Sequence, residues 1–314
     1  MSAAAGPGRA FRSTPRTARR RRSPARGGVE SLLATARCQA LGRARRGQRC
    51  ADYAYGVKRG AYLLNLGRVP YREAWELQRA LAAAVSQGAI PDTVVLLEHP
   101  PVITLGRRTD EGAEVHVPAA AEVDVVETDR GGKSTFHGPG QLVCYPILDL
   151  NRHGRDVKRY VRDLEEAVIR TGAALGVEAT RIEGLTGVWL ESPPRKLASI
   201  GVHIARWVTT HGYALNVDLD PAPFTDWITA CGLEDAAFTT LARELDRPLT
   251  VDEVRPLAAT ALEEVFGLAF EKLPAEDGAG LWPQPVHEKI SAKPMHSSTR
   301  SGEAVGVEQV TAGS

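Results

Sequence analysis

Strand-like and helix-like hydrophobic patterns alternate between residues 61 and 266, and this order limits the folds open to the chain. Apolar residues at helical spacing predict helices at 70–86, 156–175 and 251–266, the last with Thr250 as its N-cap. Short runs rich in β-branched and aliphatic residues predict strands at 93–98, 101–106, 123–128, 141–150, 187–190, 196–205 and 211–219. Strands that mix with three helices indicate an α/β or α+β domain.

The two ends of the chain differ in composition from this middle part. Residues 1–60 carry 15 Lys and Arg but two acidic residues, whereas the whole chain has a net charge of +1, so the remainder is acidic. Residues 1–58 lack hydrophobic periodicity and are expected to be disordered, as is the tail at 275–314. The arginine-rich arm fits three interpretations: contact with anionic partners, organelle targeting, or no role.

Several classes of function find no support in the composition. The sequence has no apolar run of about 18 residues or more, so a membrane-spanning helix is not expected. No secretory signal is visible, and we expect a cytoplasmic protein. The four cysteines, Cys38, Cys50, Cys144 and Cys231, form no C-x-x-C pair, which argues against a disulfide framework and a cysteine zinc site. The eight histidines form no H-E-x-x-H cluster, so no metal site is predicted.

The densest functional signal is the glycine-rich segment at 130–141, which contains four glycines. Backbone without side chains lets the chain of a ligand lie close against it, and Arg130, Lys133 and His137 supply hydrogen-bond donors around it. The alternative is a tight turn before a strand. A phosphate-binding P-loop does not fit, because Glu127 stands where that motif needs a glycine.

Three further segments carry reactive side chains. Lys196 opens a strand of small residues, and an exposed charge at a sheet edge is the alternative. His211 precedes a glycine, where a structural hydrogen bond is the more ordinary role. Cys231 lies beside a glycine and can be exposed, whereas Cys144 is expected in a packed strand. A nearby ammonium lowers a thiol's pKa, but the 35 positions between Lys196 and Cys231 leave their pairing open.

In their order along the chain, these segments resemble the lipoyl(octanoyl) transferase family. The matching motifs are RGGKSTFHGPGQLVCYP, KLASIGVHI, THGYALNVDLD and a Cys-Gly turn, preceded by LGRVPYREAWELQ and LLEHPPVITLG. The resemblance extends from about residue 61 to about residue 245. It departs from the residues usual in the family at Phe136, His203 and Ala230.

The resemblance implies a fold and a reaction. The fold is the α/β fold of biotin and lipoate protein ligases, a mixed sheet with flanking helices, which we assign to a catalytic domain at 59–274. The reaction transfers octanoyl from octanoyl-acyl carrier protein to a lysine of a lipoyl domain, either in the E2 subunit of a 2-oxoacid dehydrogenase or in the glycine cleavage H protein. This is the first step of endogenous lipoate synthesis. It needs no cofactor, and no membrane or nucleic-acid partner is expected.

The resemblance also implies site residues. Cys231 is the nucleophile that forms an acyl thioester, and Lys196 is its partner. The implied substrate-binding residues are Arg130, Gly131, Gly132, Lys133, Ser134, Thr135, Phe136, His137, Ser199, Ile200, Gly201, Gly212, Tyr213 and Ala214. The alternatives are an ATP-dependent lipoate or biotin ligase of the same fold, an amidotransferase that moves lipoyl groups between proteins, and a non-catalytic module that binds carrier protein or lipoyl domains.

Overall fold

The computed structural model describes residues 58–109, 115–119, 121–228 and 237–271. The predicted N-terminal arm, the predicted C-terminal tail and Cys231 lie outside the described residues. The strands are β1 (Arg59–Arg68), β2 (Asp92–Glu98), β3 (Val102–Leu105), β4 (Asp124–Glu127), β5 (Thr135–His137), β6 (Gln141–Ile147), β7 (Thr180–Ile182), β8 (Leu185–Leu190), β9 (Arg195–Ala205), β10 (Val208–Asn216), β11 (Ala237–Phe238) and β12 (Leu268–Glu271). The helices are α1 (Tyr71–Gln87), α2 (Val157–Ala173), α3 (Pro223–Asp226), α4 (Leu241–Leu245) and α5 (Val251–Phe266).

A mixed sheet is the centre of the described part of the chain. Its strand order is β12-β1-β2-β6-β10-β9-β8-β7, and β11 pairs with β9. β1 runs parallel to both of its neighbours and β11 runs parallel to β9, whereas β2, β6, β10, β9, β8 and β7 pair in antiparallel fashion. A smaller sheet of order β4-β3-β5 carries the middle of the glycine-rich segment in β5, and the segment ends where β6 begins in the large sheet. The α/β class with a mixed sheet and flanking helices is thus confirmed.

Alternating side chains divide the large sheet between two layers of helix. In β6, Leu142 and Cys144 join one core cluster with residues of α2 and α5. Val143 and Tyr145, which alternate with Leu142 and Cys144 along β6, join a second cluster with residues of α1. Successive side chains of a strand point to opposite faces, so the sheet lies between α1 and the α2–α5 pair. Among the described residues, no helix is long and apolar enough to cross a membrane.

The predicted helices and most of the predicted strands are confirmed, with ends that agree within two residues. Two strands differ more: the strand predicted at 141–150 ends at Ile147, and the strand predicted at 211–219 is β10, Val208–Asn216. Five strands have no counterpart in the sequence-based assignment: β1, β5, β7, β11 and β12. β5, β7 and β11 have two or three residues each, too few to show a period. β1 is long, but its buried residues Ala61 and Leu64 are three positions apart, and its register with β2 is irregular between Asn65 and Arg68, so it shows no period of two.

The predicted N-cap of α5 has the full hydrogen-bonding pattern of a capping box. The Thr250 hydroxyl oxygen accepts a hydrogen bond from the Glu253 backbone N–H at 3.3 Å. In return, the Glu253 carboxylate accepts from the Thr250 backbone N–H at 2.8 Å. Both bonds satisfy amide groups that have no partner within the helix, so this pair defines where α5 begins.

Replacing Thr250 by alanine is expected to lower the free energy of unfolding by about 1 kcal/mol, since the first turn of α5 loses its cap. Urea denaturation followed by circular dichroism measures this change. Thr260→Ala on the same helix is the matched control, because the exposed Thr260 hydroxyl only bonds back to the Pro256 carbonyl oxygen. Equal stability of the Thr250 variant and the wild type would contradict the assigned cap.

Candidate active site

A cavity of about 290 Å³ lies where β6, β8, β9 and β10 meet the glycine-rich segment. This volume is at the lower end of the range of small-molecule sites, roughly 300–1,000 Å³. Lys196 and twelve of the fourteen residues predicted to bind substrate line it. The two others, Gly131 and Phe136, do not line the cavity. The fold therefore brings three separate stretches of the sequence to one place.

Lys196 is buried in the wall of this cavity. The residue is only 4% exposed, which excludes the alternative of an exposed charge at a sheet edge. It lies in β9 opposite Trp189 of β8, and its Nζ atom is 5.1 Å from the centroid of the Trp189 ring. An ammonium over the face of an indole is electrostatically favourable. The lysine thus reaches the cavity from a rigid strand.

Glycines of β9 and β10 leave room for the glycine-rich segment and for close strand packing. Gly201 pairs with Gly212 across the two strands. A Cβ atom on Gly201 would lie 2.9 Å from the carbonyl oxygen of Gly131, and one on Gly212 would collide with the carbonyl oxygen of Cys144. The Gly131 backbone N–H donates to the Val202 carbonyl oxygen at 2.9 Å. Gly131 therefore docks the segment on β9, which is why it lies behind the cavity wall.

Phe136 faces away from the cavity because of the period of β5. Thr135 and His137, on either side of it, line the cavity. The Phe136 ring instead packs edge to face against Phe224, with centroids 5.8 Å apart, and against Trp227, at 5.6 Å. In this structure the ring supports β5 from behind, and a direct contact with substrate stays a prediction.

Arg130 uses its donors to hold the glycine-rich segment in shape. Its guanidinium donates to the Thr104 carbonyl oxygen at 2.7 Å and to the Thr104 hydroxyl oxygen at 3.1 Å. It also donates to the Lys133 carbonyl oxygen at 2.8 Å. The sequence predicted that these donors surround a ligand. Much of the guanidinium instead bonds the protein's own backbone, while the side chain still lines the cavity.

A chain of amides fixes the proton position on His137. The Thr239 carbonyl oxygen accepts from Asn216 Nδ2 at 3.0 Å, so Asn216 turns its Oδ1 toward Gln141 Nε2, also at 3.0 Å. Gln141 then presents Oε1 to His137 Nδ1 at 2.7 Å, and this nitrogen must carry the proton. Burial holds the pKa of His137 well below its usual value. The ring is therefore neutral and leaves Nε2 as an acceptor beside the Thr104 hydroxyl, 3.5 Å away.

Two tyrosines of the cavity are held by two further histidines. His211 Nε2 donates to Asp129 at 2.7 Å, and Tyr71 donates to His211 Nδ1 at 3.3 Å. His99 Nδ1 donates to the Val69 carbonyl oxygen at 2.6 Å, so its Nε2 accepts from the Tyr145 hydroxyl at 2.7 Å.

The same environment keeps these imidazoles uncharged. Burial lowers the pKa of His99 to about 4 and lowers the pKa of His211 as well. The hydrogen bond from His211 lowers the pKa of Asp129, which stays a carboxylate. The imidazoles of His137 and His211, which line the cavity, are therefore neutral, and so is that of His99, which bonds to the lining residue Tyr145. His211 has the structural role expected from the sequence and also lines the cavity.

Nine lining residues were not anticipated from the sequence: Tyr71, Arg108, Val143, Tyr145, Gly184, Leu185, Thr186, Trp189 and His211, the last singled out only as a structural residue. Alternation within QLVCYPI is a signal for Val143 and Tyr145, since both face away from Cys144. Cys144 lies in a packed strand, as predicted, and burial raises the pKa of its thiol. Among the described residues, no group of His, Cys, Asp or Glu is placed to hold a metal ion.

The chain on either side of Cys231 is anchored at two described points. Ile228 forms a bridge with Val115. On the other side, Ala237 and Phe238 pair with Arg195 and Lys196. The described chain therefore returns directly beside Lys196.

Comparisons with known proteins agree with this geometry. Residues 70–263 match the family model described as lipoyl protein ligase A/B catalytic domain. The chain is 49% identical over 207 residues to an octanoyltransferase of Chloroflexus aurantiacus, covering 65% of this chain and 92% of the relative. It is 54% identical over 199 residues to an octanoyltransferase of Mycobacterium tuberculosis, covering 63% of this chain and 83% of the relative.

Solved structures agree on the fold. A bipartite lipoate protein ligase of Thermoplasma acidophilum superposes with a TM-score of 0.57 at 16% identity, covering 75% of this chain and 93% of that one. A lipoate-protein ligase A bound with ATP gives 0.57 at 16% identity, covering 74% and 95%. The family model spans more than half of the chain, and the alignments with two octanoyltransferases of about 50% identity cover most of the length of each relative. The chain therefore belongs to the lipoyl protein ligase A/B catalytic domain family and, within it, to the octanoyltransferases.

Proposed function

We propose that this protein transfers octanoyl from octanoyl-acyl carrier protein to a lysine amine of a lipoyl domain, through a thioester on Cys231. The acceptors would be E2 subunits of 2-oxoacid dehydrogenases and the glycine cleavage H protein. The observation that carries the proposal is a buried lysine, Lys196, in a cavity of a chain about half identical to octanoyltransferases. The cytoplasmic location expected from the sequence stays a prediction.

The anchors beside the Cys231 segment support the pairing of Cys231 with Lys196. Phe238 pairs with Lys196, and the Thr239 backbone N–H donates to the Lys196 carbonyl oxygen at 3.0 Å. Ala237 follows Cys231 by six positions, and six residues of extended chain span at most about 20 Å. The chain between them thus permits an approach of the thiol to the ammonium, which 35 positions of sequence alone left open.

The proposed reaction has two balanced halves. The Cys231 thiolate forms a bond to the acyl carbonyl carbon, the bond from that carbon to the donor sulfur breaks, and the departing thiolate takes up a proton. The acceptor lysine amine then forms a bond to the same carbon, the bond to Cys231 breaks, and the amine loses a proton. One thioester is exchanged for another, so the first half needs no ATP.

Lys196 has two parts in this scheme. Its positive charge favours the thiolate form of Cys231, and in the second half its amine relays the proton lost by the attacking amine. The neutral imidazoles of His137 and His211 add no charge to the cavity, and Val143, Leu185 and Ile200 give it an apolar lining that suits an eight-carbon aliphatic group. Gly201 and Gly212 also line the cavity, and their lack of side chains lets the glycine-rich segment and β6 pack close to its wall.

Incubation with octanoyl-acyl carrier protein is expected to add one octanoyl group to the wild type, seen by intact mass, and none to Cys231→Ser, because a serine hydroxyl forms no ready anion at neutral pH. Cys144→Ala is the matched control and should still be acylated, since Cys144 does not line the cavity. If no adduct forms on an enzyme that still transfers octanoyl, the covalent route is wrong. If ATP is required for transfer, the protein acts as a ligase.

Lys196→Met should raise the pH midpoint of Cys231 alkylation by about 1–3 units, because an ammonium within a few ångströms lowers a thiol's pKa by this order. Iodoacetamide labelling, followed by mass spectrometry of the Cys231 peptide across pH, measures the midpoint. Lys158→Met, at an exposed position of α2, is the control. Coincident curves for the Lys196 variant and the wild type would remove Lys196 from this role.

We also propose that residues 59–274 form the catalytic domain. The family match at 70–263 and all described strands and helices fall within these bounds. Deletion of residues 1–58 is therefore expected to leave the specific activity of octanoyl transfer unchanged in a steady-state assay. A large loss of activity in a variant with normal far-ultraviolet circular dichroism would assign the arm a part in the reaction.

A further inference from the structure

Lys196 lies against a position of β8 that only glycine fits. A Cβ atom on Gly187 would be 2.9 Å from Lys196 Cε and 3.6 Å from Lys196 Nζ. It would also lie 2.6 Å from the carbonyl oxygen of Ala198. The φ angle of Gly187 is +125°, which disfavours other residues as well. The path of the lysine side chain therefore depends on the backbone of Gly187.

That backbone is held by a buried carboxylate from another layer of the fold. Glu165 of α2 is 2% exposed, and its Oε1 accepts from the Gly187 backbone N–H at 3.2 Å. Its Oε2 accepts from Arg162 at 2.9 Å and from Arg181 at 3.1 Å. Each carboxylate oxygen thus has its own partners, and charge-assisted bonds of this kind are stronger than neutral ones. The two arginines fix the orientation of Glu165, and Glu165 in turn fixes Gly187.

We propose that Glu165 is a positioning residue for Lys196, which acts by holding the Gly187 backbone against the lysine side chain. This inference rests on the catalytic role proposed for Lys196. Glu165 does not line the cavity and does not touch the reacting atoms. Its effect passes through one backbone hydrogen bond and one van der Waals contact.

The neighbouring residue provides a matched control. Glu166 accepts from Arg181 at 2.7 Å and from Arg170 at 3.1 Å. Glu166 therefore shares an arginine partner with Glu165 on the same turn of α2, while the described bond to Gly187 belongs to Glu165. Removal of either carboxylate breaks an ion pair with Arg181, but only removal of Glu165 breaks the hydrogen bond to the Gly187 backbone N–H.

The test compares Glu165→Ala, Glu165→Asp, Glu165→Gln and Glu166→Ala with Lys196→Met as reference. Each folded protein is assayed for kcat of octanoyl transfer and for the pH midpoint of Cys231 alkylation. We expect Glu165→Ala to lower kcat about tenfold or more and to move the alkylation midpoint in the same direction as Lys196→Met. Glu165→Gln should recover only part of both, since its single amide oxygen cannot accept from Gly187 and from the two arginines at once. Glu166→Ala should resemble the wild type.

Glu165→Asp keeps the test decisive if the alanine variant does not fold. Its carboxylate keeps its charge for the arginines but is one methylene too short for Gly187, so a smaller change in the same direction is expected. Folded Glu165 variants with wild-type kcat and midpoint, beside a shifted Lys196→Met, would overturn the positioning inference alone. An unshifted Lys196→Met would instead contradict the proposed role of Lys196. Equal losses in the Glu165 and Glu166 variants would reduce Glu165 to a general structural role.

Discussion

The burial of the Lys196 ammonium is the constraint on which the other features of the site depend. Removing an ammonium from water is costly unless nearby groups compensate. Here the Trp189 ring, the bare backbone of Gly187 and the return of the chain at β11 all converge on that one side chain. These come from two strands, β8 and β11, and both pair with β9, which carries the lysine. Pairing of these three strands therefore places the lysine.

The imidazole–tyrosine pairs show a second use of burial. A histidine in water is partly charged near neutral pH, whereas His99, His137 and His211 are held neutral by desolvation. Each has its proton placed by a neighbour, such as the Val69 carbonyl oxygen for His99. The Asn216–Gln141 chain extends this order from the end of β10 to the glycine-rich segment. These three imidazoles are therefore ordered and uncharged, and the charges of the cavity lining come from Arg108, Arg130, Lys133 and Lys196.

Much of this arrangement was predictable, and the failures have physical causes. The helices have clear periods, and the residues predicted to bind substrate lie in short contiguous stretches, so most of them reach one cavity. The contact between Tyr71 and His211 spans 140 positions, and that between Glu165 and Gly187 spans 22. Contacts of this kind are made by folding and leave no local pattern. The alternation that turns the Phe136 ring away from the cavity is not recognisable in the sequence, because β5 has only three residues.

The anchoring of β11 to β9 has a consequence for how such a chain tolerates change. The pairing of Ala237 and Phe238 with Arg195 and Lys196 is a backbone register, and the Phe238 side chain adds packing in a core cluster with Phe224 and Ile228. The bridge between Ile228 and Val115 is of the same kind. Because both anchors lie outside the stretch between Ile228 and Ala237, a substitution or a single-residue insertion in that stretch is expected to leave the register of β9 unchanged. Sequence changes between the two anchors are thus separated from the position of the Lys196 amine.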